Sequence, residues 1–157
     1  AAHSGIEKIE LRNGCDILQT FHTYDNADLG NRYRVIWSGA EYRGRGHNIR
    51  WSGQARFDGA DIQKFETINQ WNPENLFEQR GSDSVIWKTI TTGNFMGFYA
   101  LLTSANETRL RIATNHGKLD LDLSEIGLEP IVLEAGGLER KPSVQRLPGS
   151  RLPQILN

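Results

Sequence analysis

A single cysteine, a single methionine and four scattered histidines leave this 157-residue chain short of the side chains that most often carry chemistry. One thiol, Cys15, excludes an internal disulfide and cannot build a zinc site unaided. A disulfide-free chain slightly favours the cytoplasm as its compartment. His3, His22, His47 and His116 stand apart, none with a second histidine within five residues, so the His-x-His and HExxH spacings of metal hydrolases are missing. Gly-x-Ser-x-Gly is absent, and Gly44-x-Gly46 neither leads from a strand into a helix nor ends in Gly-Lys-Ser/Thr. A nucleophile elbow and a phosphate loop are excluded with them. Cys15 reads as a small filler in a hairpin rather than as a nucleophile. The longest apolar-looking run, Phe95 to Leu102, falls far short of the roughly 20 residues of a membrane helix. A formal net charge of −1 argues against whole-surface attraction to nucleic acid or anionic lipid. No catalytic residue, metal ligand or cofactor is assigned, and neither nucleic acid nor a membrane is expected as a partner.

What the chain does have is strand pattern. Ile6 to Arg12 mixes apolar and charged residues, Asn13-Gly14 is a strong hairpin signal, and Asp16 to Thr23 reads as the returning strand. Tyr33, Val35 and Trp37 alternate with Arg34, Ile36 and Ser38, and Ile49, Trp51 and Gly53 repeat the alternation. Residues 60–84 are hard to read: Ile62 to Ile68 suits a strand, and Gln70 to Asn75 an irregular loop around Pro73. Strands are expected again at 85–92, 95–104, 108–115, 118–123, 130–134 and 142–147, with at most a helical turn at 124–128. No segment holds apolar residues at helical spacing beyond two turns. Short strands with turn signals every ~8–12 residues point to an all-β fold. The expectation is a β-sandwich, jelly-roll or Ig-like, of nine to eleven short strands with little helix. One domain over 1–147 is expected, followed by a tail over 148–157. The opening AAHSGIEKIE has neither an initiating Met nor a signal pattern and reads as a piece of a longer or processed protein.

The densest stretch is 33–53, where Trp37-Ser38-Gly39 and Trp51-Ser52-Gly53 bracket the turn Arg43-Gly44-Arg45-Gly46-His47, and it reads as two strands joined in a hairpin with both tryptophans in the core beneath it. Between 32 and 56 six arginines face one acid, Glu41, a formal +5 that leaves −6 for the rest of the chain. Arginine suits bidentate recognition of carboxylate or phosphate. The same pattern also suits the solvated face of two half-buried strands, with arginine stems covering apolar surface. Arg43, Arg45, His47 and Arg50 are therefore the candidate contacts for an anionic small molecule. Trp37, Trp51 and Trp87 alternate with polar residues as core residues do, whereas Trp71 in the Trp-Asn-Pro loop is the candidate for stacking on a sugar ring.

The runs WSGAEYRGRGHNIRWSG, NQWNPE, SVIWKTITTGNFMGF and EAGGLERKPSVQRLP resemble the C-terminal β domain of bacterial histidinol-phosphatase-related hydrolases of the polymerase-and-histidinol-phosphatase (PHP) type. The resemblance spans Ile6 to about Leu147. It implies a non-catalytic accessory domain, because the early His-x-His of that family's metal cluster has no counterpart here. The implied partner is the catalytic domain of its own parent chain, with interdomain packing, ligand positioning or oligomer formation as the role. A carbohydrate-binding module is the alternative.

Overall fold

The computed structural model describes residues 6–42 and 47–149. Twelve strands form: β1 Lys8–Asn13, β2 Asp16–His22, β3 Leu29–Ala40, β4 Ile49–Asp58, β5 Ile62–Ile68, β6 Phe77–Arg80, β7 Ser84–Thr91, β8 Phe95–Leu102, β9 Arg109–Thr114, β10 Gly117–Asp122, β11 Ile131–Val132 and β12 Leu138–Pro148. Two antiparallel five-stranded sheets, ordered β10-β9-β4-β7-β6 and β11-β12-β3-β8-β5, pack as a sandwich, and β1-β2 stands as a separate two-stranded sheet. The all-β sandwich matches the expectation, with one strand more than the upper count. The additional strand is β6, whose sequence Phe-Glu-Gln-Arg offers a single apolar residue and thus no alternation to read. The expected helical turn is a 3-10 turn at Leu123–Glu125, capped by the Asp122 carboxylate, which accepts from the Ser124 N–H at 2.9 Å. The Ser124 hydroxyl, which donates to the same carboxylate at 2.6 Å, together with that N–H holds the Asp122 carboxyl below its usual range. β12 runs one residue past the expected domain end, through Pro148.

The Trp-Ser-Gly bracket is not a hairpin. β3 and β4 lie in opposite sheets, so the chain passes from one sheet to the other between them, and Glu41 and His47 tie the two legs together, with Glu41 N–H donating to His47 O at 3.0 Å. Both strands carry an apolar inner face, and two such faces bury each other when they oppose across the core. Trp37 of one sheet stacks on Trp87 of the other, with centroids 4.4 Å apart and planes 7° from parallel. The Trp37 indole N–H donates across the sandwich to the Thr89 hydroxyl, and the Trp51 indole N–H donates within its own sheet to the Thr91 hydroxyl, each at 2.9 Å. Thr91 in turn donates to the Gly39 carbonyl, also at 2.9 Å. The two glycines serve this packing. Gly53 leaves room for the Trp87 ring, which a Cβ would meet at 2.5 Å, and Gly39, at φ +123, lies against the Arg140 backbone. The expectation that Trp37, Trp51 and Trp87 are core residues holds, each being 1 % exposed.

Candidate functional site

Strand alternation divides β4 between core and solvent. Ile49, Trp51, Ala55 and Phe57 point inward, while Arg50, Ser52, Gln54 and Arg56 are exposed or half-buried on the outer face. On β7 the residue opposite Ser52 is Lys88, and the residue opposite Arg50 is Ile90. Together with Asn75 these side chains line an open groove of about 250 Å³. The loop that brings Asn75 there is tied down locally. Asn72 Oδ1 accepts from the Glu74 N–H at 3.0 Å, the Asn75 N–H donates to Asn72 O at 3.2 Å, and the Lys88 N–H donates to Leu76 O at 2.7 Å.

Charge is distributed unevenly along this outer face. At one end Arg56 pairs with Asp58 at 2.9 Å and Asp83 at 3.0 Å, Arg111 with Asp58 at 3.1 Å, and Arg109 with Asp120. At the groove end Arg50 and Lys88 have no ion-pair partner among the described residues. The backbone beneath Arg50 is held firmly. Its carbonyl accepts from Asn115 Nδ2 and from His116 Nε2, each at 2.9 Å, and the neighbouring Ser52 N–H donates to Asn115 Oδ1 at 2.9 Å. His116 packs edge-on against Trp51, with centroids 4.7 Å apart. Because its Nε2 donates, its Nδ1 is free to accept from Arg140 Nη1 at 3.1 Å, and Arg140 Nη2 donates to Glu41 at 2.8 Å. Asn115, His116, Arg140 and Lys88 were not among the sequence candidates. They come from two strands and the β9-β10 turn, far apart in the chain, and no local pattern announces them.

Of the sequence candidates, Arg43 and Arg45 lie outside the described residues. His47 sits at the base of the crossing turn with φ +50, and its Nδ1 donates to Glu41 O at 2.7 Å, a clamp on the turn. Arg50 lines the groove, and Trp71, 78 % exposed, stands four residues before Asn75 in the adjoining loop. Cys15 is exposed in the two-residue loop between β1 and β2 rather than packed as filler.

A second polar crevice, of about 130 Å³, lies between the β1-β2 hairpin and the outer face of β3 and β12. Arg34 donates to both Glu7 oxygens at 2.7 Å and also to Gln145. Burial works to lower the Arg34 pKa, and the paired Glu7 carboxylate more than offsets it and holds the guanidinium charged. His22 Nε2 faces Glu129 Oε1 at 2.9 Å, while its buried Nδ1 has no partner. Cations and carboxylates balance in this crevice, unlike in the groove. No group of three or more His, Cys, Asp or Glu among the described residues is arranged to hold a metal ion.

No family model, curated protein or solved structure matches this chain. The groove and its chemistry therefore carry the functional reading.

Proposed function

We propose that this chain is a non-catalytic accessory β-sandwich domain of a larger PHP-like metal-dependent phosphoesterase, and that it positions an anionic group of a ligand in the Arg50–Lys88 groove. The observation that carries this reading is the pair of groove cations without an acid partner among the described residues, beside a face whose other described arginines are neutralised. A site with two cations, Asn75 and Ser52 and no carboxylate suits recognition of phosphate or carboxylate, not proton transfer. The hydrogen bonds that Asn115 and His116 make to the Arg50 carbonyl hold the strand in place before any ligand arrives.

A second reading has its own observation. Trp71 presents an indole to solvent in the loop that lines the groove, the arrangement a sugar-binding surface uses. One calorimetric experiment separates the two. Phosphate monoesters should bind, and Arg50→Ala and Lys88→Ala should each weaken binding about tenfold or more, as loss of a charge-assisted hydrogen bond does. Trp71→Ala should leave that affinity unchanged. Binding of neutral oligosaccharides that disappears with Trp71→Ala would favour the sugar reading, and no binding of either class sinks both. The hydrolase assignment has a separate test: a parent reading frame without His-x-His ahead of Ala1 overturns it.

A further inference from the structure

The β1-β2 hairpin is amphipathic with its faces reversed. Lys8 and His22 line the crevice against the sandwich, and Glu10, clasped by Lys8 and Arg12, has a side chain only 17 % exposed. Ile9, Leu11 and Phe21, on the opposite side of the strands, are 56 %, 54 % and 49 % exposed. The register shift between Leu11 and Arg12 leaves Leu18 without a cross-strand partner, and it adds one more exposed apolar side chain, whereas Ile17, also exposed, lies opposite Arg12 on the polar side. No other strand among the described residues exposes more than one large hydrophobic side chain. The hairpin pairs with neither five-stranded sheet, and two strands alone are marginal in water.

We propose that this outward face is a self-association surface, on which the hairpin of a second copy of this chain lies face to face about a two-fold axis. Three features select a second copy. The charges on the hairpin's inner side are met there, since Lys8 and Arg12 hold Glu10 and Arg34 of β3 holds Glu7, so the apolar face demands no charged partner. Among the described residues, the one strand surface rich enough in apolar side chains to complement it is the same hairpin, as an isologous contact requires. Ile9, Leu11, Leu18 and Phe21 offer on the order of 450 Å², within the range of functional patches. Two such faces remove roughly 900 Å² from water, close to the lower bound of a specific interface. A lipid surface fits less well. The tip, Asn13-Gly14-Cys15-Asp16, is polar, and Glu7, Glu10 and Asp16 outnumber Lys8 and Arg12.

The test is light scattering and sedimentation from about 1 µM to about 500 µM chain, a span that brackets micromolar affinity, in reductant so that Cys15 cannot cross-link copies. The mass should rise from 17.7 kDa toward twice that value. The Leu11→Glu/Phe21→Glu variant should remain a monomer with an unchanged thermal midpoint, because both side chains lie at the surface. Hydrogen exchange of the wild-type chain gives an independent reading: amides of residues 9–11 and 17–21 should slow as concentration rises. A wild-type chain that stays monomeric throughout overturns the proposal, even if it binds vesicles or another protein. So does a dimer that survives the double substitution, or hairpin exchange that ignores concentration.

Discussion

A Cβ added to Gly53 would sit 2.5 Å from Trp87 Cζ2, and one added to Gly97 would sit 2.1 Å from the Val35 carbonyl oxygen. The two clashes differ in what can move. An indole can tilt a little within its stack, whereas the Val35 carbonyl belongs to the backbone of a central strand. Gly53→Ala is expected to lower the unfolding free energy by about 1–3 kcal/mol, as overpacking does. Gly97→Ala should cost more, and denaturant titration of both variants checks the order. Tyr33 makes a pH-dependent contribution. It is fully buried, its hydroxyl donates to Leu123 O at 3.4 Å, and burial pushes its phenol above the usual value, with Arg146 pulling the other way. An unfolded tyrosine ionises near pH ~10 while the folded one resists. The stability linked to Tyr33 is thus fully present below that pH and is lost as pH rises toward the folded value. Tyr33→Phe should cost about 1 kcal/mol or less at neutral pH and flatten the alkaline decline. Urea midpoints measured from neutral to strongly alkaline pH show it, and an unchanged alkaline slope would dismiss Tyr33 as its source.

At the scale of elements, the ion pairs fall into two kinds. Arg34 and Glu7, with side chains 20 % and 23 % exposed, form a two-pronged pair that fastens the segment before β1 to the outer face of β3. Arg56 and Asp58 pair on an open sheet face with the arginine 57 % exposed. A double-mutant cycle should give a coupling of about 1–3 kcal/mol for the first pair and about 0.5 kcal/mol or less for the second. Equal couplings would mean that the hairpin is anchored by something other than this pair. Strand alternation made β3, β4, β7 and β10 legible from the sequence, because each is buried on one face and wet on the other. It left β6 hidden, since four residues with one apolar member carry no period. Alternation also could not tell a hairpin from a crossing turn, so Trp37 and Trp51 read as neighbours although their strands belong to opposite sheets. The site was legible to the same degree. Arg50 and Trp71 are visible as an arginine on a strand and a tryptophan in a loop. Lys88, Asn115, His116 and Arg140 become relevant only through pairing between segments that lie 38 to 90 residues from Arg50, as the positions themselves show.

The whole molecule is held by non-local pairing. β3 pairs with β12 and β8, β4 pairs with β7 and β9, and consecutive strands repeatedly change sheet. Chain closure entropy must be met before such contacts form, so folding is expected on a time scale of roughly milliseconds to seconds. Stopped-flow fluorescence of the stacked Trp37 and Trp87 reads it, and a folding phase complete within microseconds would contradict this topology. Periodicity, turn residues and the scarcity of helix-forming patterns were enough to set an all-β chain with a tryptophan core, because side-chain alternation is a local property of the extended backbone. Which strands oppose each other, which arginines meet carboxylates, and which cations line the groove without an ion-pair partner among the described residues depend on register and sheet order. So does the reversed orientation of the hairpin, whose apolar face looks ordinary in sequence and becomes informative once its polar face is seen turned toward the sandwich.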